Sequence, residues 1–201
     1  MDDSPVHETD ETVGVTDVGD AIDAAAGRGR RGITIFRGSD GVGLFESGTM
    51  SFPIFDADDQ AALAADGPRS PLLALGTHDS VVYRGDDPNG FSLVRAWFGP
   101  YYVLPRHSHE GDCLYYIIQG SVILGSQQLD VGDGFFVPSG APYGYDAGPD
   151  GVTVLEFRTR TTFGMDIRGG QLERLRKMDI VAAEHGDRWV EMRGHLTGEH
   201  P

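Results

Sequence analysis

Between residues 81 and 159 the chain is cut into short extended runs, each closed within a few residues by glycine, proline or aspartate. Runs 81–84 and 91–98 flank Gly85-Asp86-Asp87-Pro88-Asn89-Gly90, whose residue types favour a hairpin-type reversal. Within 91–98, Ser92, Val94 and Ala96 alternate with Leu93, Arg95 and Trp97, the period of a two-faced strand. Further runs follow at 101–106, 113–119, 121–125, 128–131, 134–137, 142–146 and 152–159. Strands this short, with turn signals this frequent, predict a β-sandwich or barrel. In run 113–119, Cys113, Tyr115 and Ile117 share one face, and Tyr116 and Ile118 share the other. Apolar residues on both faces predict that both are covered, the outer one by a partner chain or by the N-terminal segment. A homodimer is therefore expected.

The chemistry-bearing residues concentrate in the same region. His107 and His109 sit at alternate positions of an extended segment, so both imidazoles point to one face and can reach one transition-metal ion. The plain alternative is two histidines hydrogen-bonded inside a barrel without metal. A frame of spaced residues surrounds them. Gly99, seven residues, His107-x-His109, three residues, Cys113, six residues and Gly120 make its first half. Gly132, five residues, Pro138-x-Gly140, two residues, Tyr143, three residues and Ala147 make the second.

This frame resembles the two motifs of the cupins, small jelly-roll β-barrels. Cys113 stands where the family has a metal-binding Glu, and Tyr143 stands where it has a third His. A Cys at that position is similar to the thiol dioxygenase branch, which keeps the third His that this chain lacks. The resemblance implies an all-β, cupin-like jelly-roll barrel with an N-terminal extension and a short C-terminal helix. One His-x-His and one Pro-x-Gly make it a single barrel rather than a duplicated one. It also implies a metal-dependent enzyme acting on a small organic molecule, with oxygen-dependent oxidation as the leading reaction class. A metal-assisted isomerase, lyase or cyclase is the alternative, and a non-enzymatic binding barrel that has lost its metal is another. Iron is the favoured ion, with Mn, Ni, Zn or Cu also compatible with imidazole ligands.

His107, His109 and Cys113 form the expected ligand set, with Tyr143, Glu156 and His78 as alternatives for the third place. Cys113 has a plainer reading as a packed thiol. Tyr143, with Tyr145 two residues on, is the candidate to orient substrate or move a proton. Both are equally readable as walls of an apolar pocket. Trp97, Tyr101 and Tyr115 are further candidates to line it. In the run Val154-Leu155-Glu156-Phe157-Arg158, Leu155 and Phe157 look like core, which predicts Glu156 and Arg158 facing outward. Glu110, next to His109, is expected to point away from the site.

Around the barrel, residues 1–16 read as an acidic, aperiodic tail. Residues 17–70 read as an extension with short helices and edge strands: a helix over 17–26, a basic patch over 27–32, runs at 33–37, 43–46 and 50–55, and a helix over 58–65. The barrel is expected over 71–162, with a further run at 72–75. Residues 163–201 read as helical, with Leu172, Leu175 and Met178 at helix spacing, and then as a polar tail.

Composition excludes several classes of function. The formal charge is −15, from 22 Asp and 9 Glu against 15 Arg and Lys177 alone. A chain of this sign is repelled by phosphate, which argues against nucleic acid and anionic membrane as partners; the small-molecule partner is what the resemblance implies. Cys113 is the single cysteine, so no disulfide forms within the chain. With no apolar run of spanning length and no signal-peptide pattern at the N-terminus, the expected compartment is the cytoplasm. Nucleophile-elbow, phosphate-loop, dinucleotide and Cys-x-x-Cys motifs are all missing.

Overall fold

The computed structural model describes residues 32–167, 169 and 171–197. The expected acidic tail, the helix over 17–26 and the basic patch up to residue 31 lie outside the described residues. The strands are β1 (Ile54–Phe55), β2 (Thr77–Arg84), β3 (Ser92–Phe98), β4 (His107–Ser108), β5 (Cys113–Leu124), β6 (Gln127–Leu129), β7 (Gly134–Val137), β8 (Asp146–Arg158) and β9 (Asp166–Ile167). Two helices accompany them, α1 (Ala57–Asp66) and α2 (Leu172–Thr197).

The larger sheet runs β2-β3-β8-β5-β6, with β7 also paired to β5; the smaller runs β1-β9-β4. In the larger sheet every pairing is antiparallel. In the smaller, β4 pairs antiparallel with β9, and β1 runs parallel to β9. The molecule is mostly β, in two sheets, as the motif frame implied. The small sheet joins the N-terminal extension, a motif strand and the segment beyond residue 162. It places His107 opposite Ile167 on one side. On its other side His107 exchanges both backbone hydrogen bonds with Tyr143, at 2.8 and 2.9 Å.

Expected runs 113–119 and 121–125 are one strand, β5, bent at Gly120. That residue has φ of +70°, where L side chains are strained, and a Cβ there would lie 2.0 Å from the Gly151 carbonyl oxygen. Run 152–159 belongs to β8, which begins at Asp146; of run 142–146 the rest forms no strand, and Tyr143 makes an isolated bridge to His107. Residues 58–65 are helical as expected. Asp56 caps α1 by accepting from the Asp59 N–H at 2.9 Å, and Gly67 ends it at φ +96°.

Other expectations fail for local reasons. Residues 72–75 are not a strand but part of a 3-10 helix, Pro71–Gly76, because Ser70 caps it and Pro71 presets its first turn. Residues 43–46 form a turn closed by Ser47 N–H on the Gly43 carbonyl at 2.9 Å. No strand forms at 33–37. Between 101 and 106 only Val103 bridges, to Asp146, since Pro105 has no N–H to give a ladder.

The C-terminal helix starts where its apolar spacing predicted and continues unbroken to Thr197. Leu175, Met178, Ala182 and Trp189 lie along its buried stripe. Trp189 is fully buried and its Nε1–H donates to the Pro100 carbonyl at 3.0 Å. Gly99, the first glycine of the frame, leaves it room: a Cβ there would sit 2.3 Å from Trp189 Cδ1. Arg174 ties α2 to the barrel through the Leu104 carbonyl at 2.6 Å and the Asp146 carboxylate at 2.5 Å. Among the described residues no helix is long and apolar enough to cross a membrane.

Candidate functional site

Both histidines of the His-x-His pair are buried, His107 at 3 % exposure and His109 at 9 %. Each uses Nδ1 on a backbone carbonyl: His107 on Pro105 at 2.7 Å and His109 on Gly164 at 2.5 Å. A carbonyl only accepts, so both Nδ1 atoms carry the proton and both Nε2 atoms carry a lone pair. This is the tautomer that an imidazole needs to bind a metal through Nε2. The rings lie edge to face with centroids 4.7 Å apart. Burial holds both in the neutral state: the His107 pKa is lowered to about 4 and that of His109 to about 2, with desolvation the largest cause and the Arg158 charge adding to it. Glu110 points away from the site as expected, and its carboxylate accepts the Gly164 N–H at 2.7 Å, fixing the peptide that orients His109.

The pair opens onto a cavity of about 300 Å³, at the small end for ligand pockets. Its walls are mostly apolar, among them Trp97, Tyr102, Met165, Ile167 and, from α2, Leu175 and Met178. The polar wall carries His107, His109, Tyr143, Glu156 and Arg158, and β2 adds His78 and Asp79.

A buried hydrogen-bonded chain backs this wall. The Tyr143 hydroxyl lies 2.9 Å from His107 Nε2, so it donates to that lone pair. It also contacts the Tyr115 hydroxyl. Arg158 Nη2 donates to the Tyr115 oxygen at 3.0 Å and to Glu156 Oε2 at 2.6 Å. Arg158 in turn stacks on Phe163, its guanidinium carbon 4.2 Å from the ring centroid. Burial raises the pKa of Tyr115 and Tyr143, so both phenols stay protonated.

Glu156 and Arg158 thus correct the sequence expectation: they face inward, at 6 % and 3 % exposure. The register explains why. In β8, Glu156 pairs with Tyr115 and Arg158 with Cys113, and directly paired residues share a face. Leu155 and Phe157 pair with Tyr116 and Leu114 on the outer face. That face is itself apolar, with Leu114, Tyr116, Ile118 and Phe136 all more than 40 % exposed. The inward charges are tolerated because they neutralise each other.

Other predicted site residues fall elsewhere. Cys113 is buried behind the polar wall and is not gathered with the histidines; burial pushes its thiol up to about 12, so it is a packed neutral thiol. Among the described residues no three His, Cys, Asp or Glu side chains lie close enough together to hold a metal ion. Tyr145 is fully buried in the core against Phe98 and Phe135, and it does not line the cavity. Tyr101 is half exposed and stacks on His185, away from the cavity, whereas Trp97 does line it. Tyr102 was not anticipated, and its signal, an aromatic after a Gly-Pro turn, is too common to have found it.

The chain matches no protein-family profile and no curated protein. Solved structures similar to it include KdgF from a Halomonas species, at 23 % identity and a TM-score of 0.38, covering 49 % of this chain and 91 % of that one. An RmlC-like cupin from Shewanella frigidimarina is 22 % identical with a TM-score of 0.36, over 41 % of this chain and 75 % of that one. The polyketide cyclase RemF from Streptomyces resistomycificus is 24 % identical with a TM-score of 0.36, over 41 % and 64 %. The reaction has to be read from the site itself.

Proposed function

We propose that this cupin-fold chain is a metal-dependent enzyme acting on a small, mostly apolar organic molecule. The observation that supports it is the pair of buried imidazoles at one cavity, each locked by a backbone carbonyl so that its Nε2 carries the lone pair, which in His107 accepts from Tyr143. Borderline divalent ions favour such nitrogen donors, and iron, manganese, nickel, zinc or copper would each accept them. His107 and His109 would hold the ion, with the Tyr143 oxygen, already against His107, as the next donor within the wall. The ion would supply a Lewis acid at positions left open for substrate oxygen, and a redox-active one would extend this to the oxygen-dependent oxidation that the resemblance implies.

The chain's own residues do the rest. Apolar side chains from both sheets and α2 exclude water from the cavity. The Tyr143 hydroxyl donates its proton to His107 Nε2 and accepts from the Tyr115 hydroxyl, whose oxygen Arg158 fixes in turn. Tyr143 is therefore the group that holds or moves a proton at the wall, a role that Tyr145 is too deeply buried to share. The exposed apolar face of β5 and β7 supports the homodimer expected from sequence, because a face of this kind is ordinarily covered.

A second reading, a metal-free binding barrel, has its own support. The Tyr143 hydroxyl already satisfies His107 Nε2, and no third His, Cys, Asp or Glu ligand joins the pair among the described residues. Elemental analysis of the purified protein beside His107→Ala separates the two. About one ion per chain, lost in the variant, is the result the enzyme reading expects. No ion in the wild type, even after incubation with Fe, Mn, Ni and Zn, leaves the binding barrel.

A further inference from the structure

We propose that Glu156 is the residue by which the cavity recognises its ligand, accepting a hydrogen bond from an O–H group on a small, otherwise apolar molecule. This rests on reading the cavity as a small-molecule site, and not on the ion.

The inventory of donors and acceptors on the polar wall carries it. The histidine Nδ1–H groups are committed to carbonyls. The Tyr143 hydroxyl is committed to His107, and that of Tyr115 to Tyr143. Arg158 spends Nη2 on Tyr115 and Glu156, and its Nε and Nη1 have no hydrogen-bond partner but expose almost no surface for a ligand to reach. No donor of this wall is left for a ligand. Two acceptors are: His109 Nε2 and Glu156 Oε1. Glu156 lines the cavity while 94 % buried, and only its Oε2 is held by Arg158. Its Oε1 has no partner among the described residues, and it is not among the buried atoms shut off from space. Farther along the lining, Asp79 gives one oxygen to the Leu44 N–H at 2.6 Å, and His78 is its neighbour on β2.

Charge then selects the kind of donor. The Arg158 guanidinium lies 2.6 Å from the Glu156 carboxylate and cancels its charge, and each imidazole gives its Nδ1–H to a carbonyl. A cationic ligand would gain no net attraction and would lose its hydration against apolar walls. A neutral O–H group, as in an alcohol, enol or phenol, makes a short and strong bond to a carboxylate and keeps the wall balanced. Arg158 is the positioning residue, aiming Oε1 by gripping Oε2.

The test uses 4-nitrophenol, whose visible absorption reports its own protonation, at a pH equal to its pKa in water, with metal content measured on the same samples. In the wild type the bound probe shifts toward the phenol, because the carboxylate holds its proton. In Glu156→Gln the carboxylate is gone and Arg158 is unbalanced, so the bound probe shifts the opposite way, toward the phenolate. If Glu156→Gln does not fold, the double variant Glu156→Gln/Arg158→Gln removes both charges; it loses the shift toward phenol and binds about tenfold or more weakly. Equal spectra in wild type and variant, equal affinity in the double variant, or no saturable binding to the wild type overturns the proposal. So does an ion present in the wild type and missing from Glu156→Gln, which would assign the carboxylate to the metal. A wild type without metal that still shows the opposed spectra removes the metal-enzyme reading and leaves this one standing.

Discussion

The two buried imidazoles make the stability of the metal-free protein depend on pH in a window where little else in the site titrates. An imidazole has a pKa of about 6.5 in the unfolded chain. Folding lowers it to about 4 for His107 and about 2 for His109. Below 6.5 the unfolded state therefore binds more protons than the folded one, and stability rises with pH. The contribution is complete above 6.5 and is lost as pH falls toward the folded values. At 1.36 kcal/mol per pH unit, a drop from above 6.5 to 4.5 removes between about 2 and 3 kcal/mol for each ring, about 5 for the pair. That is a large part of the stability of an ordinary domain. The lowered carboxylates of Asp66 and Glu110 work at lower pH, since their stabilisation is lost only below their unfolded values of 3.8 and 4.5. The assay is urea unfolding of chelator-treated protein at half-unit steps between pH 7.5 and 4.5, for the wild type and for His109→Gln. The wild type is expected to lose about two protons' worth of slope more than a chain without these histidines, and the variant about one. A wild-type stability that is flat across the window, or a variant with the wild-type slope, refutes the neutral, carbonyl-locked imidazoles. Added metal should steepen the wild-type slope, because protons and the ion compete for the same nitrogen atoms.

Two further outcomes check the surroundings of the site. Cys113 should resist thiol reagents at pH 8 in the native protein and react only after unfolding, since burial pushes its pKa up to about 12; rapid native labelling would contradict its packing. Trp189→Ala should cost about 3 to 5 kcal/mol in urea unfolding, because the ring is fully buried and its N–H is bonded; a loss under 1 kcal/mol would mean that α2 is not docked as described.

The frame of the barrel was legible because turns and periodicity are local. Gly120 and the hairpin between β2 and β3 announce themselves through residue type, and the helix spacing of Leu172, Leu175 and Met178 marks the start of α2. What failed was set partly by local turn chemistry and partly by tertiary pairing. Pro71 and Ser70 turned an apolar run into a 3-10 helix, and β9 belongs to a sheet completed only by residues far away in sequence. In the site, the alternate histidines predicted their shared cavity, which both now line. Their carbonyl partners, Pro105 and Gly164, could not be read, since backbone acceptors leave no trace in residue type.

The register of β8 shows where the ordinary rule inverts. Apolar residues usually face inward, which would make Leu155 and Phe157 core, yet in this sheet both faces are apolar, so apolarity alone carries no sign. What decides is which face can hold a carboxylate and a guanidinium two residues apart. On the outer face each would meet water and contribute little to stability. On the inner face Arg158 Nη2 bonds Glu156 and Tyr115 and the guanidinium lies over Phe163, while its Nε and Nη1 are buried without a hydrogen-bond partner. A buried pair of this sort is poorly explained by stability, because an apolar pair of similar volume would serve as well or better. The Glu156–Arg158 pair lines the same cavity as the two imidazoles, which is the observation the proposed ligand contact rests on. The charges face inward because each is the other's partner there, and the proposed ligand contact at Glu156 would add to that pairing.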